Sequence, residues 1–239
     1  MLVKEEHYRN LYKTPVVIKN KKFSRQIAQS IQIDSIWEDG MSSEELKERM
    51  ESMEIDERVN AILAIPYIDH ERGISFFTLS TASLDGKNVE ICKREDFSAM
   101  SIFRKGDVDE SEFEYLENLH VNDDFDIKDF EDFSKIVDNY HVNDNVEALR
   151  FIDILDNARE PDYPDDLKTI FIKEGLQMEQ MWVRAENLDD NQLIEATLLN
   201  TPLQDFGVEA GDRVKVFPYK MEDSDEWVVI CDLNRMNGA

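Results

Sequence analysis

The amino-acid sequence predicts an α+β protein with an N-terminal antiparallel meander and helices, a central acidic helical segment, and a small five-stranded, barrel-like β domain. Three observations predict this arrangement. Strand-like apolar runs separated by turn residues fill both ends of the chain, and apolar residues at helical spacing lie between them. The charge is also uneven, because residues 107–167 hold 21 acidic and 4 basic residues and carry −17 of the formal net charge of −26.

The first part, residues 1–106, is predicted to contain helices and strands. A helix is predicted over 23–31, where apolar residues recur every four positions, and another begins at the capping box of Ser42 and Glu45. Pro66 indicates that the strand around it lies at an edge or carries a bulge. Three strand-like runs separated by glycine-containing turns predict the antiparallel meander: 61–67, 74–79 and 89–92.

Residues 107–160 are predicted to form three amphipathic acidic helices, since disordered acidic tracts lack periodic apolar residues. The tetrapeptide His-Val-Asn-Asp occurs at 120–123 and at 141–144. Because Asn and Asp are favoured helix N-caps, we interpret both copies as caps rather than as a pair of metal-binding histidines. Residues 161–167, two prolines among acids, are predicted to be a linker. The three apolar stripes are Phe113, Leu116 and Leu119; Phe125, Phe130, Phe133 and Val137; and Val146, Leu149 and Ile152 with Ile154 or Leu155.

The last part, residues 168–239, is predicted to be a β domain. Five short strands in this length suit a small barrel or a strongly bent sheet. Turn residues separate the five strand candidates: 169–173, 180–186, 192–199, 213–218 and 226–231.

Three short motifs occur in order in this part of the chain. They are Glu179-Gln180-Met181-Trp182-Val183, then Leu198-Leu199-Asn200-Thr201-Pro202, then Gly211-Asp212-Arg213-Val214. With these motifs, the region of about 168–233 resembles the YegJ-like bacterial domain of unknown function. The resemblance implies a bacterial protein and a domain boundary near residue 168, and it implies no activity.

Trp182, Asn200 and Asp212 are candidate binding residues within these motifs. We interpret Trp182 as a core side chain, because it alternates with apolar neighbours in a strand. Asn200 is interpreted as a turn residue whose amide ties down the backbone, and Asp212 as the cap of a glycine turn. The alternative is a shared groove in which these residues bind a ligand.

The excess of negative charge excludes some classes of partner. Nucleic-acid binders concentrate Lys and Arg, and anionic membranes repel an acidic surface, so we expect no direct binding to nucleic acid or membrane. The sequence shows no signal-peptide pattern and no apolar run long enough to span a membrane. Cys92 and Cys231 each lie in an apolar run, which is typical of buried reduced thiols. These features predict a soluble cytoplasmic protein.

The sequence predicts a non-catalytic interaction protein whose acidic surface docks on a basic partner. Such a partner would be a toxin, a nuclease or a DNA-binding protein, which gives the protein an immunity-type, inhibitor or DNA-mimic role. No motif for a cofactor or a nucleophile is present, and an EF-hand-like start at Asn122 fails because Ile127 and Phe133 occupy the Gly and Glu positions. We therefore expect no cofactor and no metal. The candidate partner-binding residues are Glu112, Glu117, Asp124, Asp126, Asp129 and Asp132.

Two alternatives are open at this point. One is an enzyme with a carboxylate-rich site, with or without a metal ion, in which His70 between Asp69 and Glu71 acts as acid or base. The other is a soluble scaffold whose acidic helices are only a solvated face.

Overall fold

The structure is a computed structural model that describes residues 1–36, 42–45, 48, 56–91, 101–122, 140 and 142–236. The chain divides into two compact units, Met1–Tyr140 and His141–Ala239. Each unit has its own sheet and its own buried apolar residues. The division falls inside the predicted acidic segment, so residues 107–160 belong to both units.

A seven-stranded sheet forms the centre of the first unit. Its strands are β1 (Val16–Lys19), β2 (Ala61–Asp69), β3 (Gly73–Asp85), β4 (Asn88–Ile91), β5 (Ile102–Arg104), β6 (Glu112–Tyr115) and β7 (His120–Val121). The strand order is β6-β1-β2-β3-β4-β7, and β5 pairs with β3. Neighbouring strands are antiparallel except for β4 and β7. The predicted antiparallel meander is present as β2, β3 and β4.

Pro66 lies where β2 has a strand on one side only. The pairing of β1 with β2 ends at Val16 and Ala64, so Pro66 is paired with Phe76 of β3 alone. A proline donates no ladder hydrogen bond and is tolerated at such a position. The register also shifts between Leu63 and Ala64, so β2 carries the predicted bulge, although it lies between β1 and β3 and is not an edge strand.

Side chains are buried on both faces of this sheet. In β2, Leu63, Ile65 and Tyr67 belong to one apolar cluster, and the alternate residues Ile62 and Ala64 belong to another. A strand that is buried on both faces is a continuous apolar run rather than an alternating one.

The first unit also contains α1 (Tyr8–Leu11), α2 (Lys21–Ile36) and α3 (Lys105–Val108). Helix α2 includes the predicted helix over 23–31, and Asn20 precedes it with Oδ1 accepting a hydrogen bond from the Phe23 N–H at 3.0 Å. The predicted capping box is present as well. The Glu45 N–H donates to Ser42 Oγ at 3.2 Å, and the Ser42 N–H donates to the Glu45 carboxylate at 3.0 Å. The rest of that predicted helix lies largely outside the described residues.

The first of the three predicted acidic helices is wrong. Phe113 lies in β6, where it pairs with Ile18 of β1, and Leu116 begins a 3₁₀ turn that ends at Asn118. Phe113, Leu116 and Leu119 are nevertheless all buried. Their spacing fits one face of a helix, but a strand followed by a tight turn buries the same residues. The second predicted helix, over 125–137, lies outside the described residues.

The third predicted helix is present in a shorter form. It is α4 (Asp144–Leu149), which is followed by a 3₁₀ helix, Asp153–Ala158. A continuous central helical segment is therefore not found in the described part of residues 107–160.

The two His-Val-Asn-Asp copies have different roles. In the second copy, Asn143 Oδ1 accepts a hydrogen bond from the Val146 N–H at 3.0 Å, which confirms its interpretation as the cap of α4. In the first copy, Asn122 Oδ1 accepts from the Ile91 N–H at 2.9 Å and so ties the end of β4 to the residue after β7. The residues after Asn122 lie outside the described residues.

The second unit contains the predicted five-stranded barrel. The six strands of this unit are β8 (Arg159–Glu160), β9 (Tyr163–Ile172), β10 (Glu179–Leu188), β11 (Ile194–Leu198), β12 (Arg213–Lys220) and β13 (Trp227–Asp232). Strands β9 to β13 close into a ring, because each pairs antiparallel with the next and β13 pairs in parallel with β9. Strand β8 pairs with β9 outside the ring, and the short helix α5 (Leu233–Met236) follows β13.

Residues 161–167 are not the predicted linker, and the β domain does not begin at residue 168. Strand β9 already includes five of these seven residues. Leu167 is fully buried in the barrel core, and Asp165 and Asp166 are buried as ion-pair partners of arginines. The unit boundary lies instead between residues 140 and 141.

Cys231 is a free thiol inside the barrel and is fully buried, as the sequence predicts. Burial raises the pKa of this thiol to about 12, because the thiolate is poorly solvated there. Cys92 lies outside the described residues.

We expect iodoacetamide at pH 8 to alkylate Cys231 only after unfolding, because the reactive form is the thiolate. The measurement is the intact mass of a Cys92→Ser variant after incubation at increasing urea concentrations. A variant that also carries Cys231→Ser reports any other reaction. Rapid alkylation of the native protein would contradict this expectation.

The same burial makes the free energy of unfolding depend on pH. It should fall as the pH rises from about 8.5, where an unfolded thiol ionises, towards the folded pKa of about 12.

Candidate functional site

Two of the six predicted partner-binding residues lie in the described part of the chain. Glu112 is on β6 and Glu117 is in the 3₁₀ turn that follows, and both are exposed. The alternation of β6 explains the first, since the neighbouring Phe113 is buried. The other four residues lie outside the described residues: Asp124, Asp126, Asp129 and Asp132.

Glu112 and Glu117 belong to a run of carboxylates that we call the acidic strip. Residues 107–122 contain no Lys or Arg. Lysines outside the strip pair with three of its members. The Lys4 ammonium lies 2.7 Å from Glu110, the Lys87 ammonium 3.3 Å from Glu114, and the Lys105 ammonium 3.7 Å from Asp109. No ion pair of Glu112 or Glu117 is found among the described residues. The strip comprises Asp107, Asp109, Glu110, Glu112, Glu114 and Glu117.

The cations of the acidic segment that the structure describes are buried. Among the described residues of 107–167, the Lys and Arg residues are Arg150 and Arg159, whose side chains are 2% and 4% exposed. The Arg150 guanidinium donates to both carboxylate oxygens of Asp165, at 2.8 and 2.7 Å. The Arg159 guanidinium donates to two backbone carbonyls. The Arg159 guanidinium also lies 3.3 Å from the Asp156 carboxylate, so both described arginines are held within the second unit.

Trp182 lies on the outside of the barrel, so its interpretation as a core residue is wrong. Its neighbours Met181 and Val183 are buried in the barrel core, and the alternation of the strand turns the half-buried indole outward. The Lys168 ammonium lies 5.9 Å from the centre of the indole ring, within reach of a cation–π interaction.

Asn200 and Asp212 fasten loops, as their interpretation as turn residues predicts. Asn200 Oδ1 accepts a hydrogen bond from the Trp182 N–H at 2.8 Å, and the Leu199 N–H donates to the Trp182 carbonyl at 2.9 Å. Asp212 Oδ2 accepts from the Glu209 N–H at 2.8 Å. The Asn200 side chain is therefore bonded to the backbone of Trp182, whereas the Asp212 side chain bonds within its own turn. Other residues line a groove on this unit.

That groove, of about 540 Å³, runs over the outer face of β10, β11 and β12 and was not predicted. The Arg213 guanidinium lies 3.4 Å from the Glu186 carboxylate. The Lys215 ammonium lies 2.7 Å from Asp189, and this contact lowers the pKa of Asp189 and raises that of Lys215. With its cations paired in this way, the groove offers no excess charge to a ligand. Its lining residues are Asn143, Glu186, Asn187, Glu195, Arg213, Val214 and Lys215.

Asp69 is the last residue of β2, and His70 follows it in the turn between β2 and β3. Asp69 Oδ1 accepts hydrogen bonds from the Glu71 and Arg72 N–H groups, at 3.1 and 3.0 Å, so this carboxylate shapes the turn. Its Oδ2 lies 3.2 Å from the Arg104 guanidinium. Within the ranges that the structure describes, no three His, Cys, Asp or Glu side chains converge on a metal-sized site. The enzyme alternative gains no support from this turn.

Comparisons with known proteins assign no family to the chain. Nothing matches among protein-family models, curated proteins or solved structures. The resemblance of about 168–233 to the YegJ-like domain therefore stays a prediction that rests on its three motifs. None of the described helices is long and apolar enough to cross a membrane.

Proposed function

We propose that the protein is a non-catalytic cytoplasmic interaction protein whose acidic strip docks on a basic protein partner. Its role would be to neutralise a toxin or nuclease, or to compete with DNA for a DNA-binding protein. The observation that carries the proposal is the separation of charge among the described residues of 107–167. Glu112 and Glu117 are exposed, while Arg150 and Arg159 are buried.

Total charge does not distinguish the two units. The first has 18 basic and 31 acidic residues and the second has 9 and 22, so each carries a net charge of −13. The strip is a dense run of carboxylates, with six acidic residues and no Lys or Arg in the 16 residues 107–122, whereas the cation-free stretch 185–212 has seven acidic residues in 28. A surface of one sign steers a partner of the opposite sign, and salt screens this attraction. A test must therefore compare the strip with carboxylates elsewhere at equal change of net charge.

Replacing Glu112 and Glu117 with Lys is expected to weaken partner binding at least about tenfold, because like charges then face each other across the interface. Partners are captured from a bacterial lysate at low salt on the immobilised full chain and identified by mass spectrometry. Each is then purified and titrated by calorimetry against the full chain and its variants.

The matched control is Glu222→Lys with Asp223→Lys, which changes the net charge equally in the exposed turn between β12 and β13. We expect this control to change the Kd less than about twofold, and the partner to be rich in Lys and Arg and to elute by about 0.5 M salt. Equal weakening by both variants would mean that the strip is only a solvated face. A partner without excess positive charge, or binding unchanged at high salt, would also overturn the proposal.

A further inference from the structure

The two most exposed large apolar side chains of the described residues lie at the same end of the barrel. Leu203 is 93% exposed and Met178 is 71% exposed. Met178 is in the loop between β9 and β10, and Leu203 is in the loop between β11 and β12. Exposed apolar groups that lie close together mark interaction sites more often than single scattered ones do.

Hydrogen bonds hold these two loops against each other. The Gln177 N–H donates to Gln204 Oε1 at 3.1 Å, and the Gln204 Nε2 amide donates back to the Gln177 carbonyl at 3.0 Å. The Leu203 N–H donates to Glu179 Oε1 at 2.8 Å. Met178 lies between Gln177 and Glu179 in the sequence, so both of its neighbours are bonded to the loop that carries Leu203. The two apolar side chains are therefore presented by a fixed backbone.

The same loops are acidic. Residues 173–178 and 199–212 contain four acidic residues and one Lys. The ammonium group of that Lys173 donates to the Asp205 carbonyl at 3.2 Å. Glu179 Oε2 is buried and accepts no hydrogen bond from the described residues. The apolar pair thus lies in a negative electrostatic environment.

We propose that Met178 and Leu203 contact a cationic amphipathic segment of the protein partner, in which apolar side chains are flanked by Lys or Arg. This inference rests on the proposed function and names the chemistry of the partner. A neutral apolar partner would leave the surrounding carboxylates partly desolvated and unpaired. A second copy of this chain would bring a net charge of −26 against a net charge of −26. Charge complementarity therefore favours the cationic segment.

The test titrates the full chain with three synthetic 16-residue peptides. The first is an amphipathic helix of Leu and Lys, the second has Ser in place of Leu, and the third has Glu in place of Lys. We expect the first to bind at least about tenfold more tightly than the others, a difference of about 1.4 kcal/mol. Met178→Gln with Leu203→Gln should remove this advantage. The matched control is Tyr219→Gln with Met221→Gln at the other end of β12, which should keep it.

The position of the contact is read from the ¹³C-methyl resonance of Met178, assigned with the Met178→Gln variant. This resonance should shift when the Leu and Lys peptide is added and stay in place with the Ser peptide. Equal binding of the peptides, an unmoved Met178 resonance, or self-association that Leu203→Gln abolishes would each overturn the inference. The proposed function fails separately, since it is tested with Glu112 and Glu117 of the first unit.

Discussion

Replacing Asp165 with Ala is expected to lower the free energy of unfolding of the second unit by about 3–5 kcal/mol. The Arg150 and Asp165 side chains are only 2% and 3% exposed. Without the carboxylate, the guanidinium charge stays buried and loses the partner that accepts two of its hydrogen bonds. A domain has a total stability of about 5–15 kcal/mol, so the loss is a large part of it.

The measurement is urea-induced unfolding of the full chain in a Trp37→Phe background, so that tryptophan fluorescence reports on the second unit through Trp182 and Trp227. Asp225→Ala is the matched control. Its carboxylate also lies 2.7 Å from a cation, Lys220, but the two side chains are 99% and 51% exposed. Exposed pairs contribute at most about 1 kcal/mol, so the control should unfold almost as the wild type does.

A second variant separates the loss of an ion pair from the loss of packing. Arg150→Met combined with Asp165→Leu removes both charges and keeps apolar volume, and such replacements are often neutral or stabilising. We expect the double variant to be more stable than Asp165→Ala. If Asp165→Ala loses no more stability than Asp225→Ala, the buried ion pair does not determine the stability of the barrel.

Local sequence patterns predict the strands well and the acidic segment poorly, for physical reasons. The meander and the barrel strands are apolar runs between turn residues, and both signals are local. The assignment of Phe113 depends on its pairing with Ile18, 95 residues earlier in the chain. A spacing of three apolar residues contains no information about that partner.

The same limit explains the wrong linker and the incomplete candidate site. In the sequence, Asp165 has the features of a solvated acid in a proline-containing stretch. Its partner Arg150, 15 residues earlier in the chain, is known only from the fold. For Trp182, alternation predicts that one face of the strand is buried but does not say which face. The exposure of Glu112 was predictable from charge. The exposure of Met178 was not, because it depends on how two loops bond to each other.

The position of the unit boundary determines which fragment of the chain should fold alone, and this is the second prediction with a large expected effect. A fragment of residues 141–239 is expected to fold alone, whereas a fragment of residues 168–239, which begins at the boundary predicted from sequence, is not. The buried cluster of the barrel is drawn entirely from the second unit. The shorter fragment lacks three of its buried leucines, Leu149, Leu155 and Leu167. Truncating one buried leucine typically costs about 2–5 kcal/mol, so the loss of all three, about 6–15 kcal/mol, is comparable to the whole stability of a typical domain.

Thermal unfolding by circular dichroism and the dispersion of amide resonances should distinguish the two fragments. We expect a cooperative transition and dispersed resonances for residues 141–239 only. Adding a peptide of residues 141–167 to the shorter fragment should restore the dispersion, because it returns β8, the first residues of β9 and the Arg150–Asp165 pair. A shorter fragment that folds without the peptide would show that β9 closes the barrel from residue 168 onward. The buried arginine pairs would then be an addition to a stable core rather than part of it.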